Sequence, residues 1–278
     1  MKKKISLGLI LSHIILIIAC ILTIIPIWWV LNTALSNRVS IASTQISLIP
    51  EGFTFNNFIE VFRNKNFTLW LRNSIIFSVG TTLLTLFCAT IAAYAFSRFD
   101  FKGKKVGLMF FIVLMMLPIT AAMVGQFRIF RTFGLLNKYI GMILLYSAGA
   151  MAFSIWNLKG YFDTIPKSLE EAALVDGANK LQIFLNVILP LSKPALAITA
   201  LFIFIVPWTD FAAAFLFISD PDKYTLAMGL YQWASDPRNI PWPLFAAGSI
   251  IVAAPLAILY LVFQRYIVSG LTVGGVKE

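Results

Sequence analysis

Apolar positions in this chain come in long unbroken runs, and the polar positions are gathered between them. Crossing a hydrocarbon layer of about 30 Å takes about 20 residues of helix rising about 1.5 Å each. Six runs meet that length, at roughly 7–35, 73–96, 106–124, 139–158, 195–218 and 243–263. The runs are continuous and lack the apolar–polar alternation of a barrel strand, so they predict helices. The pattern therefore predicts an all-α membrane protein with six transmembrane helices. Residues 1–278 form a single integral-membrane domain, with the first span and an outer segment over 1–69, a five-span core over 70–268 and a tail over 269–278.

Composition removes the soluble alternatives. With 59% hydrophobic residues, 12% charged residues and 25 phenylalanines, the chain lies outside the range of water-soluble domains. The net charge of +10 does not point to nucleic acid, because the basic residues stand in short clusters between apolar runs. Anionic lipid and orientation bias explain such clusters. Cys20 and Cys88 lie inside apolar runs without CxxC spacing and read as small core hydrophobes. Lys2, Lys3 and Lys4 ahead of an apolar run imitate a signal peptide, and "IIAC" at 17–20 imitates a lipoprotein site. The run continues to Leu35, which favours a retained span over cleavage. Six spans place both ends on one side. That side carries 13 Lys and Arg against 9 on the other, which assigns both termini to the cytoplasm. Trp28, Trp29, Trp70 and Trp242 then fall near the outer interface, where amphipathic rings settle.

The polar stretch "EEAALVDGANKLQIFLNVILPLSKP" (170–194) interrupts this pattern. Ser168 and Glu171 have capping-box spacing behind Pro166, and Ala172, Ala173 and Leu174 carry a short helix. Asp176-Gly177 ends it, since glycine accepts the left-handed conformation that closes a helix. Asn179 and Gln182 offer a cap for a second helix ending near Pro190. The reading is helix, turn, helix. Paired alanines permit close approach of another surface, and Glu170 and Glu171 offer charges to basic partners. Residues 168–179 hold three acids and no Lys or Arg, which favours a protein partner over the lipid surface.

This stretch resembles a family signature. The pattern E-A-A, three residues, G, nine residues, then I-x-L-P marks the integral-membrane subunits of ATP-binding-cassette importers. Here it stands as Glu171-Ala172-Ala173, Gly177 and Val187-Ile188-Leu189-Pro190, with valine for the usual isoleucine. "NSIIFSVGTTLLTLFCATIAAYAFSRFDFKGKK" (73–105), "FGLLNKYIGMIL" (133–144), "YFDTIPKSLEEAALVDGA" (161–178) and "GLTVGGVKE" (270–278) are similar to the MalG-like, maltose/maltodextrin-type sugar branch, in order and across most of the chain.

The resemblance implies a type I importer permease fold whose 159–193 loop is a cytoplasmic coupling helix-turn-helix in a bacterial cytoplasmic membrane. It implies a non-catalytic subunit that pairs with a second, MalF-like permease and sits on two ATPase subunits. It also implies a sugar, maltose, maltodextrin or a related oligosaccharide, delivered by an extracytoplasmic solute-binding protein. Glu170, Glu171, Ala172, Ala173, Asp176, Gly177, Leu189 and Pro190 then couple to the ATPase, and Gly274, Gly275 and Lys277 of the tail contact it. Trp208, Thr209, Asp210 and Phe211 are candidates for the substrate path. Asp210 is the acid of the fifth span, and two roles stay open for it: accepting hydrogen bonds from sugar hydroxyls, or pairing the two permeases. Pro207 beside it predicts a break in that helix. Tyr231 and Trp233, in the 220–243 loop, are candidates for contact with the binding protein.

No cofactor is expected on this chain. No G-x-x-x-x-G-K-[ST] loop occurs, so ATP and Mg belong to the partner ATPase. His13, the only histidine, lies in the first span and reads as a packed or pore-facing polar residue. The 36–72 segment, with Phe53, Phe55, Phe58 and Phe62, reads as an external helix. A secondary transporter or channel using Asp210 as an ion or proton site is the alternative. It ranks second because no internal repeat is evident and such a carrier needs no docking loop.

Overall fold

The computed structural model describes residues 7–37, 49–50, 52–236 and 240–275, and every regular element among them is helical. Four helices are long and apolar enough to cross a membrane: α1 (Leu7–Ala34), α3 (Lys65–Arg98), α6 (Tyr139–Thr164) and α13 (Trp242–Gly275). Two bent pairs raise the number to six. The first joins α4 (Lys104–Met116) to α5 (Ile119–Thr132) through a bend of 106°; the second joins the segment Lys180–Leu191 to α10 (Lys193–Thr209) through a bend of 76°. The third predicted span, 106–124, is thus not one straight helix. Pro118 lacks an N–H and pushes Leu117 out of the helical region, and Leu117 sits at φ −72° and ψ 129°. The last span also differs from its predicted end, since α13 runs on past residue 263 to Gly275.

The chain divides into two compact units. The first comprises Met1–Thr68 with Leu230–Ala254. Residues 8–30 of α1 are exposed on every side, an apolar cylinder without cover from the other described residues. His13 shares that exposure and bonds the Leu9 carbonyl through Nδ1 at 2.7 Å. The short helix α2 (Asn56–Arg63) is pinned to the end of α1 by Asn57, whose Nδ2 donates to Ala34 O at 2.8 Å and Ser36 O at 2.9 Å. Phe67 stacks on Trp233 at 5.8 Å, and Gly248 lies where an added Cβ would be 2.9 Å from that indole.

The second unit comprises Leu69–Gly229 with Pro255–Glu278. Ser78, Thr81, Thr85, Ala89 and Ala93 of α3 are all 0% exposed, and such small side chains let helix backbones approach closely. Asn157 of α6 donates to Thr199 Oγ1 of α10 at 2.8 Å. Asn73 donates to the carbonyls of Asp222 and Tyr224 and accepts from the Tyr139 hydroxyl at 2.7 Å. Ser74 Oγ accepts the Leu226 N–H at 2.9 Å, fixing the start of α12 (Leu226–Ala234). Trp70, expected at the outer interface, is instead 2% exposed. Its ring covers Gly229 so closely that an added Cβ would stand 2.0 Å from Cε3. A ring pressed against a residue without a side chain is part of the core, whatever its depth in the chain.

Candidate functional site

The charged stretch folds as the predicted hairpin, with two differences in how its helices begin and end. α7 (Lys167–Val175) starts one residue before Ser168, with Pro166 at the cap position and no side-chain cap. The expected Ser168–Glu171 box therefore does not form, because Ser168 already lies inside the first turn. At the other end Gly177 has φ +87°. Its N–H donates to Leu174 O and the Ala178 N–H to Ala173 O, both at 3.0 Å, the paired closure that a left-handed glycine permits. Asn179 then caps α8 (Lys180–Ile183) reciprocally: Oδ1 accepts the Gln182 N–H at 2.9 Å, and Gln182 Oε1 accepts the Asn179 N–H at 2.8 Å.

The second arm does not stop at Pro190. A π turn over Phe184–Ile188 carries the Leu189 N–H to Phe184 O, and Pro190 follows in the first turn of α9 (Leu189–Leu191). A missing N–H is tolerated there, and the chain bends only at Ser192 before α10.

Side-chain direction separates the two neighbouring glutamates. Glu171, Ala172, Asp176, Gly177 and Pro190 are exposed, while Ala173 and Leu189 are half-buried. Leu174 is 51% and Val175 88% exposed at the apex. Glu170 turns the other way. Its Oε1 is ion-paired with Nε of Arg98, the last residue of α3, and the two side chains are 14% and 6% exposed. The Tyr94 hydroxyl donates to Oε2 at 3.4 Å. Glu170 is thus not the outward docking charge expected of it, because Arg98 at the end of α3 claims it first.

The rest of the guanidinium is also engaged: Nη2 donates to Ile165 O at 2.9 Å and Nη1 to Ser97 Oγ at 3.1 Å. Ser97 Oγ donates to Asp163 Oδ1 at 2.6 Å, and Lys159 Nζ donates to Asp163 Oδ2 at 2.5 Å. Beneath this network Phe162, Ile165, Ile183 and Ile188 are buried against Ala89 and Ala93. Arg98, Tyr94 and Asp163 were not among the site residues read from sequence. The signal for Arg98 was its place at the end of a span, where a basic residue also serves topology.

The fifth span is broken at the predicted acid. α10 ends at Thr209, Asp210 is extended with φ −72° and ψ 130°, and α11 (Ala212–Phe217) resumes the helix. Asp210 Oδ2 accepts from the Tyr146 hydroxyl at 2.9 Å and from the Ala214 N–H at 3.0 Å. The carboxylate therefore secures α11 and ties it to α6. Trp208, expected on the substrate path, is 2% exposed and stacks on Phe204 at 5.3 Å; bulk and the buried side of α10 turn it into the core. Thr209 is exposed with its hydroxyl on Ile205 O, and the half-buried Phe211 stacks on Phe215.

Of the two loop aromatics, Tyr231 is 52% exposed, while Trp233 is half-buried in its stack on Phe67 and does not stand out as a contact residue. In the tail, Gly274 and Gly275 end α13, and Lys277 lies outside the described residues.

The Asp210 geometry gives a first prediction. Asp210→Asn keeps an acceptor for both donors, whereas Asp210→Ala leaves the buried Tyr146 hydroxyl unpartnered, at about 1–3 kcal/mol. The alanine variant is expected to melt several degrees below wild type in detergent and the asparagine variant within a degree or two. Equal loss in both would make the charge itself the requirement.

Comparison with known proteins gives this geometry a family. The family described as "Binding-protein-dependent transport system inner membrane component" matches residues 82–273, from within α3 through the hairpin and into the last turn of α13. This chain belongs to that family. It is similar to the galactooligosaccharides transport system permease protein GanQ of Bacillus subtilis (strain 168), at 36% identity over 100% of this chain and 98% of that protein. It is also similar to the trehalose/maltose transport system permease protein MalG of Thermococcus litoralis, at 35% identity over 96% and 98% of the two chains.

Among solved structures, a chain of a bacterial ABC transporter involved in the import of the acidic polysaccharide alginate superposes with TM-score 0.83 and 26% identity. That match covers 96% of this chain and 98% of the other. The permease is thus a non-catalytic inner-membrane component of a binding-protein-dependent transport system. That assignment displaces the self-powered carrier in which Asp210 was the ion site.

Proposed function

We propose that this permease forms half of the translocation path of an ATP-driven oligosaccharide importer, with the α7–α8 hairpin docking on a separate ATP-binding-cassette ATPase. One observation carries the reading: the hairpin is braced at its base by Arg98–Glu170 yet presents Glu171, Leu174 and Val175 outward at its apex. A capped, braced hairpin with an uncovered apolar tip transmits force to whatever seats on that tip. A second permease is supported by α1, whose apolar surface is exposed among the described residues. The sugar class is supported by the relatives, named for galactooligosaccharides, maltodextrin and trehalose/maltose. Delivery by an extracytoplasmic binding protein is supported by the family, and the exposed Tyr231 is the candidate for that contact. Both termini and the hairpin are cytoplasmic in this reading, and Gly274, Gly275 and Lys277 lie on the same side as the ATPase.

The test is Glu171→Lys in the complete complex. Reversing an exposed charge leaves every span unaltered, so the permease pair is expected to insert and co-purify. Recovery of the tagged ATPase is expected to fall about 10-fold or more, the loss of one charge-assisted contact of about 1.5–3 kcal/mol. Undiminished ATPase recovery and sugar-stimulated hydrolysis would remove the hairpin from the docking surface.

A further inference from the structure

We infer that Arg98 and Glu170 are positioning residues for coupling: their ion pair locks the docking hairpin to the ends of α3 and α6, so that the three move as one body. This deepens the proposed ATPase-docking role and rests on it.

The geometry differs from that of an ordinary surface ion pair. Three nitrogens of one guanidinium serve three different targets: the Glu170 carboxylate on α7, the Ile165 carbonyl at the α6–α7 corner, and Ser97 on α3 itself. Ser97 passes the connection to Asp163 on α6, which Lys159 holds one turn away. The planar fork of arginine suits this arrangement, and a lysine in its place reaches only one target well. With side chains 6% and 14% exposed, the pair is shielded from the solvent and salt that weaken exposed bridges.

The hairpin has few other polar ties to the helices behind it. Among the described residues, the Tyr161 hydroxyl donates to Leu191 O at 3.1 Å, the Lys180 ammonium lies over the Phe99 ring at 4.9 Å, and Tyr94 reaches Glu170 itself. The apolar seat under Ile183 and Ile188 supplies attachment, but apolar packing is not directional and permits sliding. The guanidinium sets the angle. Without it a push at the Leu174–Val175 apex is absorbed by rotation of α7 on its seat instead of being passed to α3 and α6.

The test uses the full permease with its second permease, ATPase and binding protein in proteoliposomes, and four forms: wild type, E170A, E170Q and the exchange R98E/E170R. Uptake of labelled maltotriose and of a galactotriose is measured per ATP hydrolysed. E170A is expected to keep the ATPase and its hydrolysis within about 3-fold while uptake per ATP falls at least 10-fold. E170Q, which still accepts from Nε, should lose less, and the exchange should recover part of the loss. Amide exchange of residues 165–178 in the purified permease is followed in parallel and is expected to quicken at least 10-fold in E170A.

Unchanged exchange and unchanged uptake per ATP in E170A overturn the inference. So does a loss of uptake matched by an equal loss of hydrolysis, which marks a merely structural role. If E170A does not assemble, E170Q and the exchange carry the same criteria. Wild type that imports neither sugar, with hairpin exchange still quickened by E170A, sinks the proposed substrate class and leaves the lock standing.

Discussion

A permease carrying Leu174→Asp and Val175→Asp together is expected to insert and pair normally and to lose its ATPase on purification. Both side chains lie at the apex of the hairpin, 51% and 88% exposed among the described residues. Burying an aliphatic side chain of this size in a partner's cleft is favourable by about 1.5–3 kcal/mol. Losing two and placing two carboxylates at the contact instead is expected to weaken docking by about 100-fold or more, since each 1.4 kcal/mol is a factor of ten. The hairpin itself has no reason to unfold. Its turn is closed by backbone bonds from Gly177 and Ala178, and its second arm is capped by Asn179 and Gln182, none of which is touched. Co-purification with tagged ATPase, alongside a melting curve of the permease, separates the two effects. A complex that survives both aspartates would place the docking surface elsewhere, with Leu181, 65% exposed on the second arm, as the next apolar candidate.

Gly229→Ala is expected to be strongly destabilising for a change of a single methyl group. The new Cβ would stand 2.0 Å from Cε3 and 2.1 Å from Cδ2 of Trp70, and neither side has room to yield. Gly229 lies in α12, and Trp70 is a rigid ring only 2% exposed. Overpacking of a filled core costs about 1–3 kcal/mol, and a clash with an aromatic ring lies at the upper end. The loss is expected as a fall in melting temperature of the purified permease and in its yield from membranes.

The companion variant Trp70→Leu opens a cavity by itself and is destabilising alone. Combined with Gly229→Ala it supplies the space the methyl group needs. The double variant is therefore expected to be more stable than the sum of the single effects by about 1 kcal/mol or more, the non-additivity of residues in contact. Gly229→Ala melting with wild type would mean that α12 shifts freely, and the seat on Trp70 would lose its structural role. By contrast, Gly177 has no atom within 4 Å of an added Cβ, so only its left-handed backbone opposes substitution there.

Much of this molecule follows from chemistry within a few residues, and that part was legible in the sequence. Four of the six apolar runs set single long helices, because each is long enough for a span, while the runs at 106–124 and 195–218 are broken at Pro118 and at Asp210. Gly177 closes α7, and Asn179 with Gln182 opens α8, because those caps are made between neighbours in the chain. Asp210 and Pro207 marked a break in the fifth span, and the helix does end at Thr209. The spacing of Glu171-Ala172-Ala173, Gly177 and Leu189-Pro190 identified the family before any coordinate was known.

What only the tertiary structure decided is which way each side chain faces. Glu170 and Glu171 are adjacent and alike in sequence, but successive helix positions point about 100° apart. Which of them meets a partner within the chain depended on Arg98, 72 positions earlier. Trp70 and Trp233 carry the composition of interface or contact residues, and both packed against groups far from them in sequence. Trp70 found Gly229 and Trp233 found Phe67; Trp208 stacks on Phe204 one helical turn before it, and tertiary packing decided only that this side of α10 buries the ring. Local propensity fixes where a helix starts and stops; the face it buries is fixed by distant partners, and a linear pattern does not contain their positions.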